Sequence, residues 1–236
     1  MFLIFFPKEF IETVAVVETS AKCEKELTLG EFLRFIGIWL AITRSSPGNL
    51  NRESFWSLKP ISRKSGAPFR LNDIMSKNRF KEICTSLTFT NQDAPAYVDR
   101  FWEVRQMIKE WNENMKMKFV AAWIVCLDES MSVWTNRWTC PGWVFCPRKP
   151  KPWGNEYHSI CCGLSGIIFG IEMVEGKQRP RELDTDPKNR KTINLLLRLC
   201  KSIYGAGKIV ILDSGFCVLE GLIALRKVGV FAGALI

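Results

Sequence analysis

Histidine is almost missing: His158 is the only one in 236 residues, and the nine cysteines, at positions 23, 84, 126, 140, 146, 161, 162, 200 and 217, contain no C-x-x-C pair. Neither a zinc ribbon nor a zinc finger can be assembled from that spacing, so no zinc is expected. Convergence of Cys140, Cys146 and the Cys161/Cys162 pair on one metal stays open beside the plainer reading of small, reduced core residues in an intracellular protein. Long apolar runs are missing as well. The opening M-F-L-I-F-F-P has no positive n-region, reaches Pro7 after six residues and is followed by no small-residue cleavage site, so neither export nor membrane spanning is expected.

What is present is a core. A hydrophobic share of 47% with 12% aromatics fits one large globular domain or two ordinary ones, and excludes a disordered chain. Thirty-three Lys and Arg against 24 Asp and Glu leave a formal charge of +9, which favours polyanionic partners, nucleic acid or an acidic membrane surface.

The first half reads as helical. Pro7 sits in the first turn of a short helix with Phe10, Val14 and Val17 on one face. Thr28 and Glu31 form a capping box for a helix whose stripe is Phe32, Phe35, Ile36 and Trp39, and Gly37 within it suggests close packing. The S-S-P-G-N run at Ser45 to Asn49 closes that helix. A third helix is expected from Arg70 onward, with Ile74, Phe80, Ile83, Cys84 and Leu87 on its apolar side. A fourth spans Phe101 to Phe119, with Ile108, Trp111 and Met115 facing inward. No catalytic constellation is visible in this half.

Character changes at about Ala121. The apolar run I-V-C-L leads into Asp128 and Glu129, so a strand from Trp123 to Asp128 is expected to deliver an acidic pair to its exit. A Trp- and Pro-rich irregular passage follows, with Trp134, Trp138, Trp143 and Trp153 close together as core or as a partner contact. A hairpin turning at Ser165-Gly166 comes next, then a helix opened by Asp186-Pro187 with Ile193, Leu196, Leu197, Cys200 and Ile203 facing the sheet. Strand Ile209 to Leu212 ends in Asp213; Val218 to Val228 is an amphipathic helix stopped by Gly229, and a last strand begins. This β, hairpin, α, β, α, β order implies a sheet that is parallel at least in part, with sites at the carboxyl ends of its strands. Asp128 and Asp213 are both placed there, as metal ligands or as plain strand-end caps.

Several separated motifs in order, F-F-P-K-E-F, E-F-L-R-F-I-G-I-W-L, F-W-S, I-M-S-K-N-R-F-K-E-I-C-T-S-L-T-F, L-D-E-S-M, P-R-K-P-K-P-W-G-N and I-L-D-S-G, resemble the piggyBac-type DDE transposases and their domesticated derivatives. The resemblance covers nearly the whole chain. It implies an α+β fold: a helical dimerisation and DNA-binding region, residues 1–120, followed over 121–236 by part of an RNase-H-like α/β domain with a mixed sheet. It further implies DNA strand cleavage and transfer assisted by Mg²⁺ or Mn²⁺, nuclear location, double-stranded DNA at transposon ends or in the genome as partner, and a homodimer. Asp128 matches the first catalytic and metal-binding Asp and Asp213 the second, while Glu129, second member of the family's D-E pair, is implied to support the site rather than to ligate.

The sequence departs from the family at Asp213-Ser214-Gly215, where an aromatic is usual two places after the Asp and here Phe216 stands one place later. After Asp213 only Glu220 is acidic, so the third catalytic acid and the cysteine-rich zinc module are expected to be missing by truncation, and these residues alone are expected not to transpose. A DNA-binding protein with part of an endonuclease site and a non-enzymatic interaction module or decayed fragment both stay open. For DNA contact the basic residues that stand out are Arg148, Lys149 and Lys151 among prolines, then Lys177, Arg179 and Arg181, then Lys77, Arg79 and Lys81, each also readable as a solvated charged face.

Overall fold

The computed structural model describes residues 4–45, 52–57, 70–95, 99–147, 149–174 and 190–234. The chain forms two compact units, Lys8–Asp93 and a second made of Met1–Pro7 with Ala94–Ile236. The change from helix to strand falls near residue 121, whereas the units separate at Asp93, because the last helix before the strands packs on the sheet.

In the first unit, helix α1 (Lys8–Phe10) passes through a π-helical turn (Ile11–Ala15) into α2 (Val16–Ala21). The extra residue in that turn shifts the inward face of α2 by about one position. Phe10 and Val14 are buried as expected, but Val17 is 53% exposed, and Val16 and Thr19 take the inner positions instead. Helix α3 (Leu29–Ser45) begins at Thr28, whose Oγ1 accepts from the Glu31 N–H at 3.2 Å. It buries Phe32, Phe35, Ile38 and Ile42, a stripe at helical spacing. Residues 46–51 and 58–69 lie outside the described set, including most of the run expected to close α3.

Helix α4 (Lys77–Ser86) starts later than expected. Leu71 to Ile74 form a separate turn, and Ser76, with its Oγ accepting from the Arg79 N–H at 3.2 Å, is the cap that sets the start. Ile74 is consequently exposed. The unit's centre is aromatic: the Phe80 ring meets Phe35, Trp39 and Trp56 with centroids 5.2, 5.5 and 4.9 Å away. The buried Trp56 Nε1 donates to the Met75 carbonyl at 2.8 Å, so its polar atom is satisfied.

The second unit holds α5 (Trp102–Lys118), strands β1 (Ile124–Val133), β2 (Val144–Phe145), β3 (Trp153–Cys162) and β4 (Ile168–Met173), helix α6 (Lys191–Cys200), β5 (Ile209–Leu212), α7 (Leu219–Lys227) and β6 (Phe231–Ala234). This is an α+β fold with a mixed sheet. β3 runs antiparallel to β1 on one side and to β2 and β4 on the other, and β5 and β6 follow β1 in parallel. The hairpin turn lies where the sequence indicates, with Gly166 at φ +68°. Asp186-Pro187 lies outside the described residues; α6 is described from Lys191.

Alternation decides the core. Val125 and Leu127, Ile160 and Cys162, Val210 and Leu212 all point to one face and meet Leu196, Leu199 and Cys200 of α6 and Leu225 of α7. α5 docks at the sheet's edge through Asn112: its Nδ2 donates to the Ile171 carbonyl at 2.8 Å and its Oδ1 accepts from the Ile171 N–H at 2.9 Å. No described helix is long and apolar enough to cross a membrane.

Gly37, expected to mark close packing, is exposed on α3, with no atom within 4 Å of where a Cβ would stand. A glycine there costs backbone entropy and gains no contact. Gly37→Ala should therefore stabilise the protein by about 0.5–1 kcal/mol, read as a higher urea midpoint at unchanged slope. A lower midpoint would mean that this face is covered.

Candidate functional site

β1 is longer than the sequence suggests, and Asp128 is inside it rather than at its exit. The reason is unequal pairing. Antiparallel pairing with β3 runs from Val125↔Cys162 through Asp128↔Ser159 to Val133↔Gly154, whereas parallel pairing with β5 ends at Leu127↔Leu212. The first residues beyond that parallel ladder are Asp128 and Asp213, on neighbouring strands about 4.8 Å apart.

They also share a face. Val125 and Leu127 point inward, so Asp128 points outward; Val210 and Leu212 point inward, and Asp213, extended at φ −74° and ψ 165°, points outward likewise. Both carboxylates are exposed. The Asp128 Oδ1 accepts from the Glu129 N–H at 2.7 Å, and the Asp213 Oδ1 accepts from the Ser214 N–H at 2.6 Å, ahead of the 3₁₀ turn Ser214–Phe216. Each acid is thus oriented by one oxygen. Two hard, anionic oxygen donors at this spacing suit Mg²⁺ or Mn²⁺, which accept a few carboxylates and complete their shells with water and phosphate oxygens.

Glu129, one residue on, faces the other way. Its ligand atom and those of Glu156 and His158 all lie within 4.8 Å of one another. Glu129 pairs with Lys149 at 3.4 Å, and the His158 ring meets Phe216 edge-on at 5.5 Å. Burial, and then the neighbouring Glu129, push the Glu156 carboxyl above its ordinary range, with Lys149 opposing. Sequence reasoning does not single out Glu156 and His158 as a site, although their i, i+2 spacing on a strand signals a common face.

The basic candidates fare differently from one another. Lys149 is held by Glu129, and Lys151 is exposed nearby. Arg148, Lys177, Arg179 and Arg181 lie outside the described residues. The Lys77, Arg79, Lys81 cluster is neutralised from within: Lys77 and Lys81 reach the two oxygens of Glu53 at 3.2 and 2.6 Å. Arg79 gives its Nε and Nη2 to Glu31 at 2.8 and 2.7 Å, its Nη1 to Glu82 at 3.0 Å, and further bonds to the Lys25 and Glu26 carbonyls. All five guanidinium donors are spent, so Arg79 is a clasp and not a phosphate contact. The cysteines singled out for a metal are all free thiols and join no metal-type cluster among the described residues.

The sequence matches the family described as Transposase IS4, of the DDE class, over residues 1–236. The fold is similar to a piggyBac transposase seen by cryo-electron microscopy in a synaptic complex with hairpin DNA, with a TM-score of 0.73 at 14% identity. That match covers 98% of this chain and 50% of the piggyBac chain, so the protein spans half the length of the structure it resembles. Comparison with curated proteins gives no match. Fold and family together define a DDE-type transposase chain. It belongs to the Transposase IS4 family, in its piggyBac type, and is transposase-derived; the family implies use of a divalent metal.

Arg79 yields a prediction of its own. Hydrogen bonds from Arg79 hold the Glu31 carboxyl below its ordinary value of 4.5. A depressed carboxylate contributes stability that is present above that value and lost as pH falls through the folded pKa. Arg79→Leu should cost about 2–4 kcal/mol at neutral pH, by urea unfolding, and the deficit should shrink towards pH 3 as Glu31 protonates in the wild type. A deficit independent of pH would show that packing, not the ion pair, carries the effect.

Proposed function

We propose that this protein binds double-stranded DNA, at transposon ends or in the genome, and carries in Asp128 and Asp213 two carboxylates of a DDE site for metal-dependent strand cleavage and transfer. The observation that carries this reading is their common position, directly past the last parallel pair Leu127↔Leu212 and on one face of the sheet. The strand arrangement supports an RNase-H-like assignment for the sheet unit: β4, β3 and β1 antiparallel in succession, then β5 and β6 parallel to β1. The region before the sheet, residues 1–120, would serve dimerisation and DNA binding, and such a protein would work in the nucleus.

A bound Mg²⁺ or Mn²⁺ would supply positive charge to the attacking and leaving oxygens of the phosphoryl transfer. The chain's own contribution is orientation. Backbone N–H groups of Glu129 and Ser214 each hold one carboxylate oxygen, and Asp128 and Asp213 would hold the ion through their remaining oxygens. Glu129, on the opposite face, fastens the Pro-rich basic loop to the same strand through Lys149. Lys151, exposed in that loop, would contact phosphate without reading sequence.

Two measurements test this. Mn²⁺ binding, followed by electron paramagnetic resonance, should weaken at least tenfold in Asp128→Asn and again in Asp213→Asn; unchanged affinity in both would remove the site. Duplex DNA binding, followed by fluorescence anisotropy across a salt series, should weaken about tenfold on combined Lys149→Glu and Lys151→Glu, with a shallower salt slope. If neither affinity nor slope moves, the loop is not the contact.

A further inference from the structure

The passage after β1 forms a recess that the carboxylate site does not use. Its volume is about 490 Å³, within the range of small-ligand sites, and its walls include Arg100, Arg137, Trp138, Trp143 and the backbone around Gly142. Among the described residues, no acidic side chain lines it. Trp138 is 82% exposed, an expensive state for an indole unless something uses it. The Arg137 guanidinium lies 4.3 Å from the centre of the Trp138 ring, so cation and ring present a joined surface.

The recess is built rather than frayed. Asn136 Oδ1 accepts from the Trp138 N–H at 3.0 Å, and the Trp134 Nε1 donates to the Thr139 Oγ1 at 3.1 Å. Asn155, from β3, donates its amide to the Pro141 carbonyl, tying the loop to the sheet. Gly142, at φ +60°, lies against the Phe101 ring so closely that any Cβ would collide with it. The Trp143 indole N–H is buried and has no hydrogen-bond partner among the described residues.

We infer that this recess takes an unpaired nucleotide of a DNA strand, its base stacked on Trp138 and its phosphate met by Arg137. The inference rests on the proposed DNA-binding function and adds to it a single-strand subsite. Every base has a π-face, so the indole face opposite the guanidinium is a platform that tolerates any sequence, and the guanidinium stacked over the ring supplies the charge that the backbone needs. Tryptophan and arginine also anchor protein partners, but a recess that joins Arg137 to an exposed indole, with no carboxylate among its described lining residues, in a chain of charge +9 selects a polyanion.

The test compares three probes by fluorescence anisotropy in metal-free buffer: a single-stranded oligothymidylate, an abasic strand of equal length, and a blunt duplex. The wild-type chain should prefer the oligothymidylate over the abasic strand about tenfold. Trp138→Ala should erase that preference, Trp138→Phe should keep most of it, and neither should change duplex affinity. Arg137→Ala should weaken both single strands. Absence of the preference in the wild type, or its survival in Trp138→Ala, overturns the inference and leaves the patch to a protein partner. A duplex affinity insensitive to charge reversal at Lys149 and Lys151 would instead count against the basic loop and leave this subsite standing.

Discussion

Everything at the candidate site depends on one mismatch in length. β1 is held on one side by a nine-pair antiparallel ladder and on the other by a four-pair parallel one, so its second half overhangs its parallel neighbour. The overhang begins at Asp128, beside the residue where β5 also runs out. A carboxylate in the middle of a fully paired strand would be masked by neighbours on both sides; here it keeps one open flank. Strand alternation then does the sorting, sending Val125 and Leu127 into the core beneath α6 and α7, Asp128 outward beside Asp213, and Glu129 back towards Glu156, His158 and Lys149. One chain segment thus separates two sets of acids onto two faces with no loop between them.

How much of this the sequence discloses depends on the range of the interaction. The runs I-V-C-L and I-V-I-L and the hairpin at Gly166 are local patterns and appear in the structure where the sequence places them. The helical stripes, by contrast, turn slightly: Ile38 and Ile42, not Ile36 and Trp39, complete the buried face of α3, Leu195 and Leu199 are buried in α6 where Leu197 is expected, and of the α5 stripe only Met115 is buried. The end of β1 is not local, because it depends on a partner strand more than twenty residues away, and so Asp128 looks like a strand exit when it is not. The π turn in the first helix misleads for a related reason: one inserted residue leaves every residue type plausible while moving Val17 outward. Arg79 is the clearest case. From the sequence it is one cation among three, and only the fold brings Glu31 to it from 48 positions away.

Those pairings also change what the net charge of +9 means. Lys77 and Lys81 are spent on Glu53, Arg79 on Glu31 and Glu82, Arg198 on Glu172, and the Lys208 ammonium on the carbonyls of Ala121 and Ala122. Such groups hold the chain to itself and contribute little to counterion release at a distant phosphate. The field that a polyanion would feel is consequently patchier than the formal charge suggests, and it concentrates where cations are exposed without a carboxylate beside them.

Asn112 has a bearing on assembly. By lending its side-chain amide to both backbone groups of Ile171, α5 imitates one residue of an additional strand and interrupts the edge of β4 at mid-length. At the opposite border, among the described residues, β6 has β5 as its single neighbour. At the β4 margin, therefore, a chain seeking to extend the sheet by backbone pairing meets a stopper at mid-length.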